Sequence, residues 1–269
     1  MRGSLLKSSR NAKEGQRRRG VYLIPNILTT GNLFSGLASV VAVFHGKYEL
    51  AAIAILIAMI FDTLDGTSAR LMKSTSEFGV QYDSLSDLIS FGVAPGILIY
   101  VWGLESPGLF GAAVMFAYVA CGALRLARFN VTGNSGESKH FIGLPIPAAA
   151  GLIATSLIVD VHVFQMASPF KALALLVVSL TLSFLMVSRL KYRSLKELQF
   201  HSRHHFMYLV WAVLILVSVV AYPQLMLFVV CAGYALSGMI EWVVMAVSGA
   251  FGKRSVAESS APRFFNPKE

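Results

Sequence analysis

Charged residues and cysteines are both scarce in this chain. Only 14% of its 269 residues are charged, well below the roughly 25% of ordinary soluble domains. The two cysteines, Cys121 and Cys231, fall within apolar stretches, so they indicate small packing residues and not a disulfide framework. With 55% hydrophobic residues and a mean hydropathy of +0.64, the composition predicts a polytopic membrane protein.

Apolar segments long enough to cross a bilayer, on the order of 20 residues each, recur eight times. They lie near residues 24–45, 48–72, 80–103, 108–131, 145–167, 170–189, 206–222 and 224–247. Because backbone groups in lipid must bond within their own segment, we predict an all-α helical bundle with about eight transmembrane helices.

Acidic residues number 14 against 23 lysines and arginines, and the basic residues are unevenly distributed. In the eight-helix topology, only Lys47 and Lys171 fall in the loops of one side. The positive-inside rule then places both termini in the cytoplasm. The basic tail (1–20) would lie at the anionic membrane surface. We expect no nucleic-acid partner for such a chain and no cleaved signal peptide.

The chain has only five aspartates, and four of them lie between residues 61 and 92. Asp62 and Asp65 are three residues apart in the second predicted helix, and Asp83 and Asp87 are four apart in the third. Each pair therefore shares one helix face. The short connection makes the helices antiparallel neighbours, so both pairs are expected to meet near the cytoplasmic boundary. Asp160, the fifth, is expected at the opposite membrane interface.

Four carboxylates in a partly desolvated place repel one another, and protonation or bound cations would relieve the repulsion. Carboxylate oxygens are hard ligands suited to Mg²⁺, Mn²⁺ or Ca²⁺. Four of them could hold two ions about 3.5–4 Å apart, the arrangement used for in-line displacement at phosphorus. Helix-end aspartates that merely reach water are the alternative, which we favour for one residue but not for four at these spacings.

The pattern Asp62-x-x-Asp65-Gly66-x-x-Ala69-Arg70, followed after eight residues by Gly79-x-x-x-Asp83-x-x-x-Asp87, resembles the signature of the CDP-alcohol phosphatidyltransferase family, with no position missing. Four further segments are similar to one branch of that family, the integral-membrane phosphatidylserine synthases of bacteria. They are IPNILTTGNLFSG (24–36), EFGVQYDSLSDLISFGVAPG (77–96), CGALRLARFNV (121–131) and GLPIPAAAG (143–151).

The resemblance implies that the first three aspartates of the signature bind two divalent cations, Mg²⁺ or Mn²⁺ with Ca²⁺ as a further candidate. Asp87 would be both a metal ligand and the general base. Polar residues at the start of the first helix would also contact the nucleotide, with Thr30 and Asn32 as alternatives. The implied metal ligands are Asp62, Asp65, Asp83 and Asp87, and the implied CDP-binding residues are Asn26, Thr29, Asp62, Gly66, Ala69, Arg70 and Gly79.

The reaction implied by the resemblance is transfer of the phosphatidyl group from CDP-diacylglycerol to the hydroxyl of L-serine, giving phosphatidylserine and CMP. The candidate serine contacts are Arg125, Arg128, Asn130 and Lys139. Cytoplasmic anchoring is an alternative role for the two arginines. The aspartate signature does not specify the acceptor, so glycerol 3-phosphate and inositol phosphate stay open. A cation-coupled transporter is the alternative from another class, and it would spread acidic residues across the bilayer.

The chain divides into four parts. They are a basic cytoplasmic tail (1–20), the catalytic helices (21–155), the remaining transmembrane helices of the same domain (156–251) and a polar cytoplasmic tail (252–269). The resemblance implies a homodimer in the bacterial cytoplasmic membrane, surrounded by membrane lipids, with an active site that faces the cytoplasm.

Overall fold

The computed structural model describes residues 2–72, 76–106, 108–132, 141–188, 190–192 and 221–238. The helices of this part of the chain are α1 (Arg2–Phe44), α2 (Tyr48–Leu71), α3 (Glu77–Leu104), α4 (Leu109–Thr132), α5 (Ile146–Phe164), α6 (Ser168–Val187) and α7 (Pro223–Gly238). A short antiparallel pair, β1 (Phe141–Ile142) and β2 (Lys191–Tyr192), lies between the segments that follow α4 and α6.

Six of these helices, α1 to α6, are long and apolar enough to cross a membrane, so the chain is an integral membrane protein. Their apolar spans agree with the first six predicted spans to within three residues at each end. The seventh prediction, at 206–222, lies almost wholly outside the described residues. The eighth, at 224–247, is described only to Gly238, as the shorter helix α7. The total of eight and the orientation of the termini therefore stay predictions.

Of the two predicted tails, the structure describes only the N-terminal one. Helix α1 begins at Arg2, so residues 2–20 of the basic segment form one continuous helix with the first span. The tail at 252–269 lies outside the described residues.

Local signals in the sequence set several helix ends. After α1, Gly46 adopts a φ of +70°, a left-handed conformation that glycine takes without steric cost, and α2 then folds back along α1. Ser76 is the N-cap of α3, where its Oγ accepts a hydrogen bond from the backbone N–H of Gly79 at 3.0 Å. Proline opens both later spans, with Pro145 just before α5 and Pro169 in the first turn of α6.

Helix α3 occupies the centre of the bundle, where it contacts α1, α2, α4, α5 and α6. It contains two π-helical stretches, Leu88–Val93 and Tyr100–Leu104. Small residues line the buried faces of two of the packed helices, among them Ala51 and Ala58 on α2, and Ala150 on α5. Such residues let helix backbones approach closely, which is the usual basis of helix association within lipid.

The closest approach brings α1 against α3. A Cβ atom on Gly36 would overlap Ser90 Oγ and lie 2.7 Å from Ser90 Cα. Ser90 Oγ in turn donates a hydrogen bond to the backbone oxygen of Asn32, one turn earlier on α1, at 3.0 Å. Because no side chain separates the two helices here, Asn32 is held directly beside the turn of α3 that carries Asp87.

Candidate active site

Three aspartates from two helices meet at one end of the bundle. Asp62 lies on α2, and Asp83 and Asp87 lie on the first stretch of α3. One carboxylate oxygen of each residue lies within 4.8 Å of the others. Asp87 is buried, with 8% of its surface exposed, and the other two are half-buried. We call Asp62, Asp83 and Asp87 the carboxylate cluster.

Asp87 is oriented by α1. The side-chain amide of Asn32, which is fully buried, donates a hydrogen bond from Nδ2 to Asp87 Oδ1 at 2.9 Å. That bond occupies one carboxylate oxygen and fixes the plane of the group, while the second oxygen stays available. From the sequence we expected Asn32 only as an alternative nucleotide contact, since nothing in the sequence shows which face of α1 turns towards α3.

Asp65 is buried but lies outside the group of three. Its Oδ2 accepts a hydrogen bond from Thr29 Oγ1 at 2.9 Å. This hydrogen bond orients the Asp65 carboxylate, which lies one turn further along α2 than Asp62. The nucleotide contact expected of Thr29 stays a prediction, and the contact seen is with Asp65.

The other signature residues form a rim around the cluster. A Cβ on Gly66 would meet no described atom within 4 Å, whereas one on Gly79 would lie 3.1 Å from Ser76 Oγ and 3.6 Å from Asn26 Oδ1. Arg70 is exposed, and its Nε donates to the backbone oxygen of Gly66 at 2.9 Å. Ala69 is half-buried on the same helix. The fold thus leaves open space beside the carboxylates, bordered by α1, α2 and the start of α3.

The cluster has negative charge and little to balance it. Among the described residues, no lysine or arginine forms an ion pair with Asp62, Asp83 or Asp87. Asp83 Oδ1 and Asn32 Oδ1 are also buried oxygens without a hydrogen-bond donor in that part of the chain. Buried acceptors without partners each cost about 1–3 kcal/mol. An all-oxygen set of converging carboxylates with an unpartnered oxygen fits a hard divalent cation.

Arg125 on α4 is a buried cation in the neighbourhood of the carboxylate cluster. It is buried, with 8% of its surface exposed, and it lies close enough to Asp87 and Asp62 for electrostatic attraction. Its Nε is buried and has no hydrogen-bond partner among the described residues. Tyr234 on α7 is also close enough to interact with Arg125 electrostatically. An arginine as deep as this one is not a surface anchor.

The remaining candidate acceptor residues have other contacts. Arg128 donates from Nη1 to the backbone oxygen of Val187 at 3.1 Å and from Nη2 to that of Ser188 at 3.2 Å, which caps the end of α6. Asn130 Nδ2 donates to Ser84 Oγ at 3.0 Å. Lys139 lies outside the described residues. The serine-binding roles of these three residues stay predictions.

Asp160 lies in the last turn of α5, and its position at the opposite membrane interface stays a prediction. It is 1% exposed within the protein, and its Oδ2 forms an ion pair with Lys171 Nζ at 2.9 Å. Its Oδ1 accepts from the backbone N–H of Met166 at 2.8 Å, and the Lys171 ammonium lies 4.9 Å from the ring centre of Trp102. The sequence places Asp160 near a helix end but does not show that α3 and α6 enclose it there.

An apolar cavity of about 330 Å³ lies between α5, α6 and α7. It is lined by residues such as Ile153, Leu182 and Phe228, and it includes none of the candidate site residues. Such a lining suits hydrocarbon and not a charged nucleotide, so the cavity is separate from the carboxylate cluster.

Comparison with known proteins identifies the family. A protein-family model described as CDP-alcohol phosphatidyltransferase matches residues 22–253. A CDP-diacylglycerol–serine O-phosphatidyltransferase of Helicobacter pylori is 34% identical over 237 residues, which cover 88% of this chain and 98% of that protein. One of Methanocaldococcus jannaschii is 34% identical over 84% of this chain and 96% of its own length. An archaetidylserine synthase of Methanothermobacter thermautotrophicus is 38% identical over 63% of this chain and 69% of that protein.

Proposed function

This chain belongs to the CDP-alcohol phosphatidyltransferase family, and we propose that it transfers the phosphatidyl group of CDP-diacylglycerol to the hydroxyl of L-serine. The products are phosphatidylserine and CMP. The observation that carries the proposal is the carboxylate cluster, in which Asp62, Asp83 and Asp87 converge within 4.8 Å and form no ion pair with a lysine or arginine of the described ranges. The names of the similar proteins favour serine as the acceptor.

The donor end of the reaction needs charge compensation. Two divalent cations, Mg²⁺ or Mn²⁺, would neutralise the charge that develops on the diphosphate, and Asp62, Asp65, Asp83 and Asp87 would hold them. The open space at Gly66 would admit the nucleotide, and Asn26 would border it near Gly79. Arg70, exposed at the rim, would pair with phosphate oxygens.

The acceptor end needs a base. Asp87 Oδ1 accepts the hydrogen bond from Asn32, so the second oxygen would take the proton from the serine hydroxyl. The hydroxyl oxygen then forms a bond to the lipid-side phosphorus, and the bond from that phosphorus to the CMP oxygen breaks. CMP departs as the leaving group, and Asp87 holds the proton until it passes to water.

The cellular setting is part of the proposal. We place the chain in the bacterial cytoplasmic membrane as a homodimer, with the carboxylate cluster facing the cytoplasm. Serine and the nucleotide would then arrive from water while the acyl chains stay in the bilayer. Location at one end of α2 and α3, and not along the bilayer midplane, favours this function over a cation-coupled transporter.

Acceptor identity is tested with the purified full chain in mixed micelles. CMP release from CDP-diacylglycerol is measured with L-serine, glycerol 3-phosphate or inositol phosphate, each with Mg²⁺ or Mn²⁺. We expect serine to be used far faster than the other two. CMP release with glycerol 3-phosphate alone would keep the family chemistry and overturn serine as the acceptor. No release with any of the three acceptors, from folded protein, would overturn the enzyme.

The base role of Asp87 is tested by comparing Asp87→Asn with Asp65→Asn. We expect Asp87→Asn to abolish turnover and to leave CDP-diacylglycerol binding largely intact, because the amide keeps the shape but cannot take a proton. Binding is measured with radiolabelled CDP-diacylglycerol in the presence of Mg²⁺. A loss of binding equal to that of Asp65→Asn would make Asp87 chiefly a metal ligand.

A further inference from the structure

Helix α3 changes its hydrogen-bonding pattern directly after the last aspartate of the carboxylate cluster. The stretch Leu88–Val93, which we call the π turn, is π-helical, and the backbone N–H of Ala94 donates to the oxygen of Ile89, five residues earlier. Pro95 favours this change, because proline has no N–H to donate to the carbonyl of Phe91, four residues before it. Single π turns within α-helices occur frequently at functional sites.

The carbonyl of Phe91 accepts its hydrogen bond from another helix. Tyr118 Oη on α4 donates to it at 3.1 Å, and Tyr118 is fully buried. Gly96 permits this approach of α4 to α3, since a Cβ on Gly96 would already lie 3.0 Å from Val119 Cγ2. A buried carbonyl that loses its donor is costly, so this bond fixes the π turn against α4.

Helix α1 also binds the π turn. Ser90 Oγ, within the turn, donates to the backbone oxygen of Asn32 at 3.0 Å, and Asn32 Nδ2 donates to Asp87 Oδ1 at 2.9 Å. Ser90 and Asn32 are both fully buried, and Gly36 permits the close approach of the two helices. The π turn is therefore bonded to α1 and to α4, directly beside the Asp87 carboxylate.

We propose that Tyr118 and Ser90 are positioning residues for the reaction, because they fix the π turn and so set the direction of the Asp87 carboxylate. The inference rests on the proposed function, in which Asp87 takes the proton of the acceptor hydroxyl. A π turn contains one residue more than an α turn, so it offsets the helix faces before and after it by about 100°. The bonds that hold this turn therefore decide how α3 is rotated at Asp87.

Loss of a positioning contact has a different consequence from loss of a binding contact. A rotated Asp87 would still lie beside the cluster, but its free oxygen would no longer meet the acceptor hydroxyl at the hydrogen-bond distance that proton transfer requires. A misplacement of about 1 Å can slow a reaction by about 100-fold. The expected signature is a lower kcat with nearly unchanged KM values.

The main test is Tyr118→Phe, which keeps the ring and removes only the donor to Phe91. We expect kcat for CMP release with L-serine to fall by about 10–100-fold, while the KM values for L-serine and CDP-diacylglycerol stay within about twofold. The matched control is Tyr100→Phe, because Tyr100 is half-buried on α3 and its hydroxyl has no hydrogen bond within the described part of the chain.

A second pair of variants covers the event that Tyr118→Phe does not fold. Ser90→Ala removes the bond to the backbone of Asn32, and we expect a smaller fall in kcat, about fivefold, with the same unchanged KM values. Ser86→Ala is its control, because Ser86 is buried one turn earlier on α3 and its hydroxyl donates to the Tyr82 oxygen of the same helix at 2.9 Å.

A double-variant comparison separates positioning of Asp87 from a general loss of structure. Tyr118→Phe is repeated in Asp87→Glu, which keeps a carboxylate but changes its reach. A residue that acts through Asp87 should have a smaller effect on kcat in that background. An equal fall in both backgrounds, a parallel rise of the two KM values, or an equal effect of the control variants overturns the inference.

Hydrogen exchange provides a readout that needs no turnover. In detergent micelles, backbone amides of residues 87–94 should exchange on the order of tenfold faster in Tyr118→Phe than in the unsubstituted protein or Tyr100→Phe. Failure of the proposed function is seen separately, as no CMP release with L-serine by the unsubstituted protein. Exchange then decides alone: faster exchange supports the role of Tyr118 in holding the π turn, and unchanged exchange contradicts it.

Discussion

The aspartates at the two ends of the bundle differ in how their negative charge is compensated. In the last turn of α5, Asp160 has an ion pair with Lys171 at 2.9 Å and a backbone hydrogen bond from Met166 at 2.8 Å. At the other end, Asp62 and Asp83 converge with Asp87, and no described lysine or arginine forms an ion pair with any of them. The residue type is the same, and the electrostatic compensation differs.

This difference indicates a structural role for Asp160 and a functional role for the carboxylate cluster. A buried carboxylate with a complete set of partners has little left to offer a ligand, so Asp160 serves to join α5 to α6. Carboxylates that repel one another destabilise the fold unless something binds, and such arrangements persist at functional sites. The comparison therefore predicts that the two ends respond to the same substitution in opposite ways.

Of the substitutions that test this comparison of the two ends, Asp83→Asn is expected to have the largest effect on activity. Loss of one carboxylate from the cluster should slow CMP release on the order of a thousandfold, because Asp83 would hold the metal. The same change removes like-charge repulsion, so thermal stability without divalent cations should stay the same or rise. CMP release and the unfolding temperature, each measured with and without Mg²⁺, check both parts.

Stabilisation by Mg²⁺ is the companion measurement. A ligand at about 100 times its Kd stabilises the folded state by about 2.7 kcal/mol, and this gain should vanish in Asp83→Asn. Asp160→Asn is the matched control, because it removes the same charge far from the cluster, and it should keep the Mg²⁺ effect. An Asp83→Asn protein that turns over at near-normal rates would contradict the role given to the cluster.

The largest effect on stability is expected from Asp160→Asn. Breaking a buried ion pair costs about 3–5 kcal/mol, and Asp160 is almost fully buried while Lys171 is about four-fifths buried. The free energy of unfolding in detergent micelles should fall by that amount, with unchanged KM values at temperatures where the protein is folded.

A double variant sharpens the same point. Replacing both partners, Asp160→Leu with Lys171→Met, should recover most of the lost stability, since an apolar pair leaves no uncompensated charge. If the single variant were as stable as the parent protein, Asp160 would have no structural role and the contrast between the two ends would fail.

The smallest effect is expected from Thr29→Val, which keeps the shape of the side chain and removes the hydrogen bond to Asp65. Groups that orient a metal ligand typically change metal affinity by about 10–100-fold, so the Mg²⁺ concentration for half-maximal activity should rise about tenfold. Thr63→Val is the control, because Thr63 is exposed beside Asp62 and its hydroxyl donates, within the described part of the chain, to the backbone oxygen of Met59 alone. Equal metal requirements in the two variants would show that the Thr29 contact is unimportant.

Much of the fold was predictable because it follows from the length of apolar segments and the spacing of residues along the chain. The first six spans were predicted to within three residues, since bilayer thickness demands a long apolar run and loops interrupt it. The aspartate signature was equally visible, because its spacing places Asp83 and Asp87 on one helix face. These features depend on period and length, which a sequence displays directly.

Contacts between helices were not predictable in this way. The bond from Asn32 to Asp87 exists because Gly36 lets α1 approach Ser90 on α3 at backbone distance. Glycine is common in apolar helices, so its presence alone does not show which neighbour it contacts.

By itself, the sequence determined that the chain enters a membrane as helices and that four carboxylates lie near one boundary. It did so because hydrophobic length and helical period are local properties. The tertiary structure decided which carboxylates converge, which aspartate is neutralised by a lysine, and which residue of α1 donates a hydrogen bond to Asp87. These depend on how far each helix is rotated and how closely it packs, and only the assembled bundle specifies that.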